Sequence, residues 1–497
     1  MNRALYRLSL GCLAMFVLLL INVNYVQAFE ANSLANRPGN ARTFSQQFQY
    51  QRGSIIATGV GGNKTIAESV PIKGTNMYQR FYPGGATYAP VTGFDSIYGA
   101  TAIEKAYDKY LAGTAPSLTV HNLISLLTGK PKQGATVYLT ISPKAQQAAY
   151  QALLADGGHQ AAAVALDPST GAILAMASYP SFNPNRLATL NGADLVKADN
   201  ELLKDPNQPL LNRAINETYP PGSSFKVVTG SAAFSTGKVA NPQTTVPAPQ
   251  PLILPNGHAL NNDGGETCGD GHPQIIEAFW LSCNTAFGQI GMNLGARTLQ
   301  DYATRFGWNN PNLTIPMPVS PSITPLPPGE PPDKSLTAYM AIGQYSDGAT
   351  PLQEAMDAAA IANHGTLMRP YLLDQVQAPD LSVISSTTPS VLSQAVSPQV
   401  AGDMTQMMIE VTQNPGGTAY QTAGPPTVGS LVIAGKTGTA ENGVDNSGLD
   451  DAVFTCFAPA SNPKIAVGVI VKGGGFGADA AAPIAVKIIE AYLGGHQ

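Results

Sequence analysis

The chain has 497 residues, of which 44% are apolar and only 12% are charged, and its formal net charge is −5. Its length and apolar content predict two or three domains with sizeable cores. The negative charge, and the absence of any run rich in lysine and arginine, remove the electrostatic reason to bind nucleic acid, so no nucleic-acid partner is expected.

An apolar segment from Leu8 to Ile21 stands near the N-terminus, after Arg3 and Arg7. Positive charge before such a segment predicts a cytoplasmic N-terminus and an exported remainder. Hydropathy leaves two interpretations open. One is a membrane-retained signal anchor of about twenty residues, extended by NVNYVQAF. The other is a cleaved signal peptide with its site at 26–28, Val-Gln-Ala.

Residues 30–137 are predicted to form a separate module without catalytic chemistry. A stretch rich in Gln and Asn comes first, followed by RGSIIATG, which has the pattern of a short strand ended by glycine. Glycine-rich turns and a helix around TAIEKAYDKYLAG complete the module. We find no chemical motif in it.

A second unit is predicted over residues 138–497. Residues 138–141 have a strand pattern, and Ser142 then caps a helix whose first position is Pro143. Two apolar runs flank the turn at 167–171, which predicts a hairpin. Three further strand candidates lie near the C-terminus, in LVIAGKTGTAE, AVFTCFAPA and KIAVGVIVKGG. Because the strands come from both ends and the helices from the middle, we expect an α+β fold with one sheet built from both ends of the unit.

Two cysteines, Cys268 and Cys283, lie fifteen residues apart in one segment of this chain. Export would place them where disulfides persist. A bridge between them would stabilise the fold by about 3 kcal/mol in the loop-entropy model. The alternative of two unpaired thiols stays open at this point.

Three short motifs occur in an order that predicts acyl transfer through a serine. Each alone is weak, since a serine and a lysine three residues apart arise by chance about once or twice in a chain this long. Their combination is a strong signal, because they fall at a helix start, in a loop after a helix, and on a strand. The motifs are Ser223-Ser224-Phe225-Lys226, Ser282-Cys283-Asn284 and Lys436-Thr437-Gly438.

Ser223 is the candidate nucleophile, and it needs a base because a serine hydroxyl is a poor nucleophile at its free pKa. Lys226 is the available base and must be held at least partly neutral; burial and the second cation, Lys436, would both lower its pKa. The alternative is a capping Ser223 and a solvent-facing Lys226. That alternative does not explain why the following turns, VVTGSAAF, are so apolar.

The second motif offers a hydroxyl on Ser282, which can relay a proton between the lysine and a leaving group. It also offers an amide on Asn284, which can hold a backbone group of a substrate. In isolation, this motif would be better explained as an ordinary loop end with Ser and Asn.

The third motif follows the apolar LVIA and is therefore placed on a strand. Gly438 in that strand indicates close approach by another backbone, and an extended peptide substrate can pair with the strand edge. Lys436, Thr437 and Thr439 would face the substrate carboxylate. The backbone N–H groups of Ser223 and Thr439 would form an oxyanion hole.

These motifs and their surroundings resemble the class B penicillin-binding proteins, which are peptidoglycan D,D-transpeptidases, and in particular the short actinobacterial type. The resemblance rests on ALDPSTGAILAMAS, LNRAINETYPPGSSFK, LSCNTAF, AIGQYSDGATPLQEA and GKTGTAE. It implies a central five-stranded antiparallel sheet flanked by helices, with a helical subdomain and a smaller N-terminal module of the dimerisation or pedestal kind. Cys283 falls at the variable middle position of the family's second motif.

The resemblance also implies a reaction. Ser223 would attack the penultimate D-Ala carbonyl of a stem peptide, D-Ala would leave, and an amine of a neighbouring peptide would resolve the acyl-enzyme. β-Lactams would acylate the same serine. The resemblance implies that the catalytic residues are Ser223, Lys226, Ser282 and Lys436. It implies that the substrate-binding residues are Asn284, Thr437, Gly438 and Thr439.

The resemblance extends more weakly to RGSII and to the N-terminal hydrophobic segment. It therefore favours a membrane anchor that is retained, formed by residues 1–29, and not a cleaved signal peptide. The expected location is then the plasma membrane, crossed once, with the catalytic domain outside the cytoplasm. The expected partners are peptidoglycan stem peptides, β-lactams, the membrane and divisome or cell-wall synthase proteins. The expected role lies in cell division or cell shape.

Two other functions remain as alternatives. A β-lactamase or D,D-carboxypeptidase on the same fold would pass the acyl group to water, and a non-enzymatic sensor of β-lactams or peptidoglycan would pass a signal across the membrane. We expect no metal and no cofactor, because the chain has no glycine-rich phosphate loop and its histidines show no metal-ligand spacing. The histidines are His121, His159, His258, His272, His364 and His496.

Overall fold

A computed structural model describes residues 3–30, 48–129, 131–441 and 448–494. The helices of six or more residues in this part of the chain are α1 (Arg3–Tyr25), α2 (Thr119–Leu127), α3 (Pro143–Ala155), α4 (Gly192–Lys204), α5 (Lys226–Ser235), α6 (Ile275–Trp280), α7 (Asn284–Leu294), α8 (Ala296–Arg305), α9 (Lys334–Met340), α10 (Pro351–Ala362), α11 (Pro398–Gln413) and α12 (Ala481–Leu493).

Two sheets hold most of the strands. Their members are β1 (Ile55–Ala57), β2 (Lys64–Pro71), β3 (Tyr78–Phe81), β4 (Thr136–Leu139), β5 (Ala161–Leu166), β6 (Ile173–Tyr179), β7 (Leu373–Gln377), β8 (Val383–Ser386), β9 (Ala434–Ala440), β10 (Asp451–Ala458) and β11 (Ile465–Val471). Small two-stranded sheets pair Asp95–Ser96 with Gly99–Ala100, Leu252–Ile253 with Ala259–Leu260, and Thr366–Met368 with Val391–Gln394. Four- and five-residue helices are Ala89–Thr92, Ala102–Ala106, Asp108–Leu111, Arg213–Asn216, Tyr420–Ala423 and Pro425–Val428.

The N-terminal helix α1 matches the expected hydrophobic segment. Together with the turn that follows, it forms an apolar stretch, Tyr6–Glu30, that is long enough to cross a membrane, and its apolar side chains do not pack on the rest of the chain. Most of the Gln- and Asn-rich stretch expected after it lies outside the described residues. The chain therefore carries one helix compatible with a single-pass anchor.

The first sheet has six strands in the order β8-β7-β4-β1-β2-β3. The short strand predicted in RGSIIATG is β1, and it pairs parallel with β4 and antiparallel with β2. Two strands of this six-stranded sheet, β7 and β8, come from much later in the chain, where the sequence predicted a mostly helical section. The boundary expected at residue 138 falls inside β4, whose bounds precede the predicted strand at 138–141 by two residues.

The second sheet has five antiparallel strands in the order β9-β10-β11-β5-β6. It is built from both ends of the unit, as expected, and β5, β10 and β11 are buried along their whole length. Helices α3 and α12 pack on this sheet, as does α10. Sheets covered on both faces have continuous apolar strands, which explains AVFTCFA and KIAVGVIV.

Local signals in the chain account for the start of α3. The side chain of Ser142 accepts a hydrogen bond from the backbone N–H of Ala145, and Pro143 is the first helical residue, as predicted.

Helix α10 is buried along its whole length. It packs against the five-stranded sheet and also contacts α11, so it lies in the interior of the second unit.

Candidate active site

The first motif lies on a sharp turn that leads into α5. Gly222 has a φ of 55° and its N–H bonds to the carbonyl oxygen of Gly343, and Gly222–Phe225 form one 3₁₀ turn. The helix continues from Lys226, so Ser223 and Lys226 lie on one face. The Nζ atom of Lys226 is 3.0 Å from the Oγ atom of Ser223. Lys226 is fully buried and Ser223 is half-buried.

The second motif occupies the link between α6 and α7. Ser282 has a φ of 63°, which turns the chain sharply before α7 begins at Asn284. The Nζ atom of Lys226 is 2.7 Å from the Ser282 carbonyl oxygen and 2.7 Å from Oδ1 of Asn284. It is 3.3 Å from Oγ of Ser282. The other end of the Asn284 amide donates to the carbonyl oxygen of Asn261.

The third motif lies on β9, an edge strand of the five-stranded sheet. The Nζ atom of Lys436 is 2.8 Å from Oγ of Ser282 and 2.9 Å from the carbonyl oxygen of Thr437. Ser282 thus lies between the two lysines. The Thr437 hydroxyl is 2.8 Å from that of Thr418.

Gly438 allows the nucleophile turn to lie directly on β9. A Cβ atom at this position would be 2.5 Å from the carbonyl oxygen of Pro221 and 3.3 Å from the nitrogen of Ser224. The sequence indicated a backbone approaching this glycine, and the nucleophile turn approaches it with the backbone of Pro221 and Ser224. The strand and the turn are therefore in direct contact.

Both lysines are buried among neutral groups. Phe287 lies 5.6 Å from Nζ of Lys226, and Phe279 lies 5.6 Å from Nζ of Lys436. Burial lowers the pKa of Lys226 well below its usual value, and Lys436 lowers it further, against an opposing effect of Asp263. Burial also lowers the pKa of Lys436, to about 7, again against Asp263. Neutral amines are thus accessible at this site near neutral pH.

The motifs border a cleft of about 370 Å³. Its lining includes the expected residues Ser223, Ser282, Asn284, Thr437 and Thr439. A larger apolar groove of about 730 Å³, next to Phe94, Phe182 and Met317, contains none of the motif residues. Chemistry and size thus point to different cavities, and we place the site by its chemistry.

Several residues of the cleft were not found by sequence reasoning. They include Thr418 and Gln344, whose amide donates to the carbonyl oxygen of Thr439. The rest are Asp263, Leu281, Glu441, Asp450, Ala478 and Asp479. Phe476 and Gly477, which also line the cleft, belong to GGGFG, which the sequence predicts to be a loop bordering the site. Gln344 lies in AIGQYSD, one of the segments that carried the resemblance, so its presence there was a usable signal. Thr418 belongs to no motif.

Comparison with known families decides the identity. A family model described as the penicillin-binding protein transpeptidase domain matches residues 161–490 of this chain. The chain belongs to the class B penicillin-binding protein transpeptidases. A second family model, described as the penicillin-binding protein A dimerisation domain, matches residues 52–137.

Relatives of this class B penicillin-binding protein match it along its whole length. Peptidoglycan D,D-transpeptidase PbpA of Mycolicibacterium smegmatis is 42% identical over 99% of both chains. The protein of the same name from Mycobacterium tuberculosis is 41% identical over 100% of both. These matches confirm the resemblance drawn from the sequence.

Solved structures agree with the fold. Penicillin-binding protein A of Mycobacterium tuberculosis, as a ceftriaxone acyl-enzyme, superposes with a TM-score of 0.83 at 40% identity, over 90% of this chain and 99% of that one. Its penicillin G acyl-enzyme gives a TM-score of 0.82 at 41% identity, over 89% and 100%. The expected fold class, with its central five-stranded antiparallel sheet, is confirmed.

A disulfide joins Cys268 to Cys283, the middle residue of the second motif in this class B protein. It ties the link between α6 and α7 to the segment that carries Asn262 and Asp263. Asn262 accepts a hydrogen bond from the N–H of Thr285, in the first turn of α7. The bridge and this capping contact both hold the segment against the site.

Proposed function

We propose that Ser223 is the nucleophile and Lys226 the general base with which this class B penicillin-binding protein acts as a peptidoglycan D,D-transpeptidase. The observation that carries the proposal is the 3.0 Å contact between Lys226 Nζ and Ser223 Oγ, made where Lys226 is fully buried and has only hydroxyl and carbonyl oxygens as hydrogen-bond partners among the described residues. A serine and an amine at this distance meet the geometric requirement for proton abstraction.

A neutral Lys226 can satisfy its close carbonyl partners and still accept from Ser223. Two of its partners, the carbonyl oxygens of Ser282 and Asn284, can only accept hydrogen bonds, and both lie at 2.7 Å. A neutral amine has two hydrogens and one lone pair. The two hydrogens satisfy these oxygens, and the lone pair is left to accept from the hydroxyl of Ser223.

The proton that Lys226 takes from Ser223 must later reach the leaving amine. The hydroxyl of Ser282 lies 3.3 Å from Lys226 and 2.8 Å from Lys436, which suits it to relay that proton. Lys436, with the hydroxyls of Thr437 and Thr439 on the same strand, is assigned the substrate carboxylate.

The substrate is an extended peptide that pairs with β9, the edge strand of the five-stranded sheet. Asn284 and Gly438 complete the substrate-binding set, and the backbone N–H groups of Ser223 and Thr439 form the oxyanion hole. Ser223 bonds to the penultimate D-Ala carbonyl carbon, D-Ala leaves with a proton, and an amine of a neighbouring stem peptide then displaces Ser223. β-Lactams acylate the same serine.

The organisation of the chain follows from the same assignment. Residues 1–29 form a cytoplasmic stub and a membrane anchor, residues 30–137 a noncatalytic module, and residues 138–497 the transpeptidase domain. The N-terminus faces the cytoplasm and the catalytic domain lies outside it, because Arg3 and Arg7 precede the apolar helix. Divisome or cell-wall synthase proteins are the proposed partners, in cell division or cell-shape maintenance.

The test is covalent labelling of the detergent-solubilised full chain by a fluorescent penicillin. We expect one labelled site per chain, and we expect Ser223→Ala to abolish labelling while the circular dichroism spectrum stays native. Ser235→Ala, an exposed serine at the end of the same helix α5, is the matched control and should label fully. Labelling that persists in Ser223→Ala would refute the assignment. Loss of the adduct within seconds would instead favour a β-lactamase.

A further inference from the structure

Two buried carboxyl groups lie beneath the nucleophile turn, on the side away from the cleft. Glu354 and Asp357 belong to α10 and are 0% and 2% exposed. They are three residues apart and therefore lie on one face of the helix. The acyl-transfer scheme does not use either group, so their burial under the site needs its own explanation.

Glu354 contacts the residue that follows the nucleophile. The Oγ atom of Ser224 is 2.9 Å from the carbonyl oxygen of Pro221 and 3.0 Å from Oε1 of Glu354. A serine hydroxyl has one hydrogen to donate, and a carbonyl oxygen can only accept. If Ser224 donates to Pro221, then the hydrogen between Ser224 and Glu354 must come from Glu354.

Asp357 supports the next residue along the turn. Its carboxyl group accepts from Nε1 of Trp308, at 3.2 Å to each oxygen, and from Nε2 of Gln353 at 2.8 Å. The Trp308 ring in turn meets Phe225 edge to face, with 5.2 Å between centroids. Ser224 and Phe225, which separate the nucleophile from its base, thus both rest on this carboxyl pair.

The donors are divided unequally between the two acids. Asp357 receives hydrogen bonds on both oxygens, whereas Oε2 of Glu354 has no hydrogen-bond partner among the residues that the structure describes. An ionised oxygen left buried without a donor is strongly unfavourable. The proton therefore belongs on Glu354.

We propose that Glu354, as a neutral carboxylic acid, is a positioning residue: it donates to Ser224, Ser224 donates to Pro221, and this chain holds Ser223 against Lys226. The proposal rests on the assignment of Ser223 as the nucleophile. In this proposal the nucleophile turn is held from two sides, because it contacts β9 on one side and α10 on the other.

Burial raises the pKa of both acids, Asp357 as well as Glu354, well above their usual values. Burial is the largest cause for Glu354, the neighbouring Asp357 raises its pKa further, and the hydrogen bond that Ser224 would donate to the ionised form opposes both. The groups that face Glu354 are Asp357 on its own helix, Ser224 on the turn and Thr455 on β10. Thr455 contributes only a hydroxyl, which donates to the Glu354 backbone carbonyl.

The first test compares two replacements of Glu354 in the full chain. Glutamine has the shape of the neutral acid and can donate to Ser224, so Glu354→Gln should acylate with penicillin within about twofold of wild type. Glu354→Met keeps the length but lacks the donor, and should slow the acylation step about tenfold, the upper range for one hydrogen bond. Initial non-covalent binding of penicillin should not change in either variant.

Measuring the acylation rate constant distinguishes a loss of positioning from a loss of folding. Misfolded protein would lower the fraction of chains that become labelled, but not the rate constant of the folded ones. An equally slow Glu354→Gln would overturn the neutral-donor assignment, and a fast Glu354→Met would overturn the positioning role. Ser223→Ala is read separately, by presence or absence of label, so failure of the nucleophile assignment is distinguishable.

The second test is thermal unfolding as a function of pH. A group whose pKa is raised in the folded state contributes stability that is complete below its unfolded pKa, near 4.5, and is lost as pH rises. Glutamine does not titrate. The Tm of Glu354→Gln should therefore exceed that of wild type by a margin that grows from pH 4 upward, to about 2 to 4 °C. A margin that is flat or shrinks with pH would overturn the proposal.

Discussion

The N-terminal module and the active site each bury a pair of basic side chains, and they treat the charge in opposite ways. In the N-terminal module, Arg52 and Arg80 are 8% and 3% exposed and both contact Glu104, which is fully buried. Each guanidinium places Nε within 2.7 Å of a different oxygen of this carboxylate. Despite burial, Arg80 and Arg52 hold the pKa of Glu104 below its usual value.

In the active site the buried cations have neutral neighbours. The close hydrogen-bond partners of Lys226 and Lys436 in the described part of the chain are hydroxyl and carbonyl oxygens. Asp263, which lines the same cleft, acts on both lysines as a charge but makes no ion pair with either of them. Burial is then the main influence, and it lowers both pKa values.

The contrast teaches what a buried cation is for. Beside a carboxylate it keeps its charge, and the ion pair holds strands and helices together. Among neutral dipoles it loses its proton, and the amine becomes a base. Lysine suits the second role because its pKa shifts readily on burial, whereas arginine stays charged.

The largest expected effect comes from removing the carboxylate of the N-terminal cluster. Glu104→Gln removes the carboxylate shared by two buried guanidinium groups and takes from Arg80 the one ion pair it makes among the described residues, so the free energy of unfolding should fall by about 3 to 5 kcal/mol. Chemical denaturation of the full chain measures this. The penicillin acylation rate constant of the folded protein should stay unchanged, because the cluster is separate from the cleft.

Asp108→Asn is the matched control for that variant. Asp108 also contacts Arg52, but its side chain is 50% exposed, so the loss should be about 0.2 to 1 kcal/mol. If the two variants lose equal stability, the buried carboxylate does not hold the cluster together and the comparison fails.

The second prediction gives the active site the kind of partner that the N-terminal cluster has. Asn284→Asp places a carboxylate oxygen where Oδ1 now lies 2.7 Å from Lys226. A charge at that distance favours the ammonium form and raises the pKa of Lys226. Acylation by penicillin near neutral pH should then slow by about a hundredfold, within the range of a lost general base.

The pH profile distinguishes this effect from simple loss of the amide. The acid limb of the acylation rate should move to higher pH in Asn284→Asp, because more alkaline conditions are needed to free the amine. Asn284→Ala removes the same amide without adding charge and should leave the limb in place. An unmoved limb in the aspartate variant would mean that Lys226 is not the base.

Sequence reasoning was most successful where chemistry is encoded locally. The Ser142 cap, the hairpin of β5 and β6, and the strand that bears Lys436 all depend on neighbours within a few residues. The three motifs could be assigned to a turn, a loop and a strand without knowing their distances. Their meeting in one cleft followed from the family resemblance.

What the sequence did not show depends on distant pairing. β7 joins the N-terminal sheet through β4, and the hydroxyl of Tyr138 reaches Gln377 across 239 residues. A short strand carries no signal for which sheet it will extend. Glu354 and Asp357 were also missed, because two acids in an apolar helix do not reveal that a serine and a tryptophan will meet them.

The smallest expected effect concerns a carboxyl group of the N-terminal cluster whose pKa is raised although an arginine lies beside it. Asp95 lies 3.5 Å from Nε of Arg52 but is almost fully buried. Burial raises its pKa to about 6, although Arg52 opposes this. Its contribution to stability is complete below its unfolded pKa of 3.8 and is lost as pH rises through about 6.

Asp95→Asn keeps the shape and does not titrate, so it should exceed wild type in stability above pH 6 by on the order of 1 to 2 kcal/mol. Below pH 4, where Asp95 is protonated in the folded protein, the two proteins should unfold alike. Denaturation curves of both proteins at several pH values measure this difference in the free energy of unfolding. A variant less stable than wild type at pH 8 would mean that Asp95 is held ionised by Arg52, so that every carboxylate of the cluster behaves as Glu104 does.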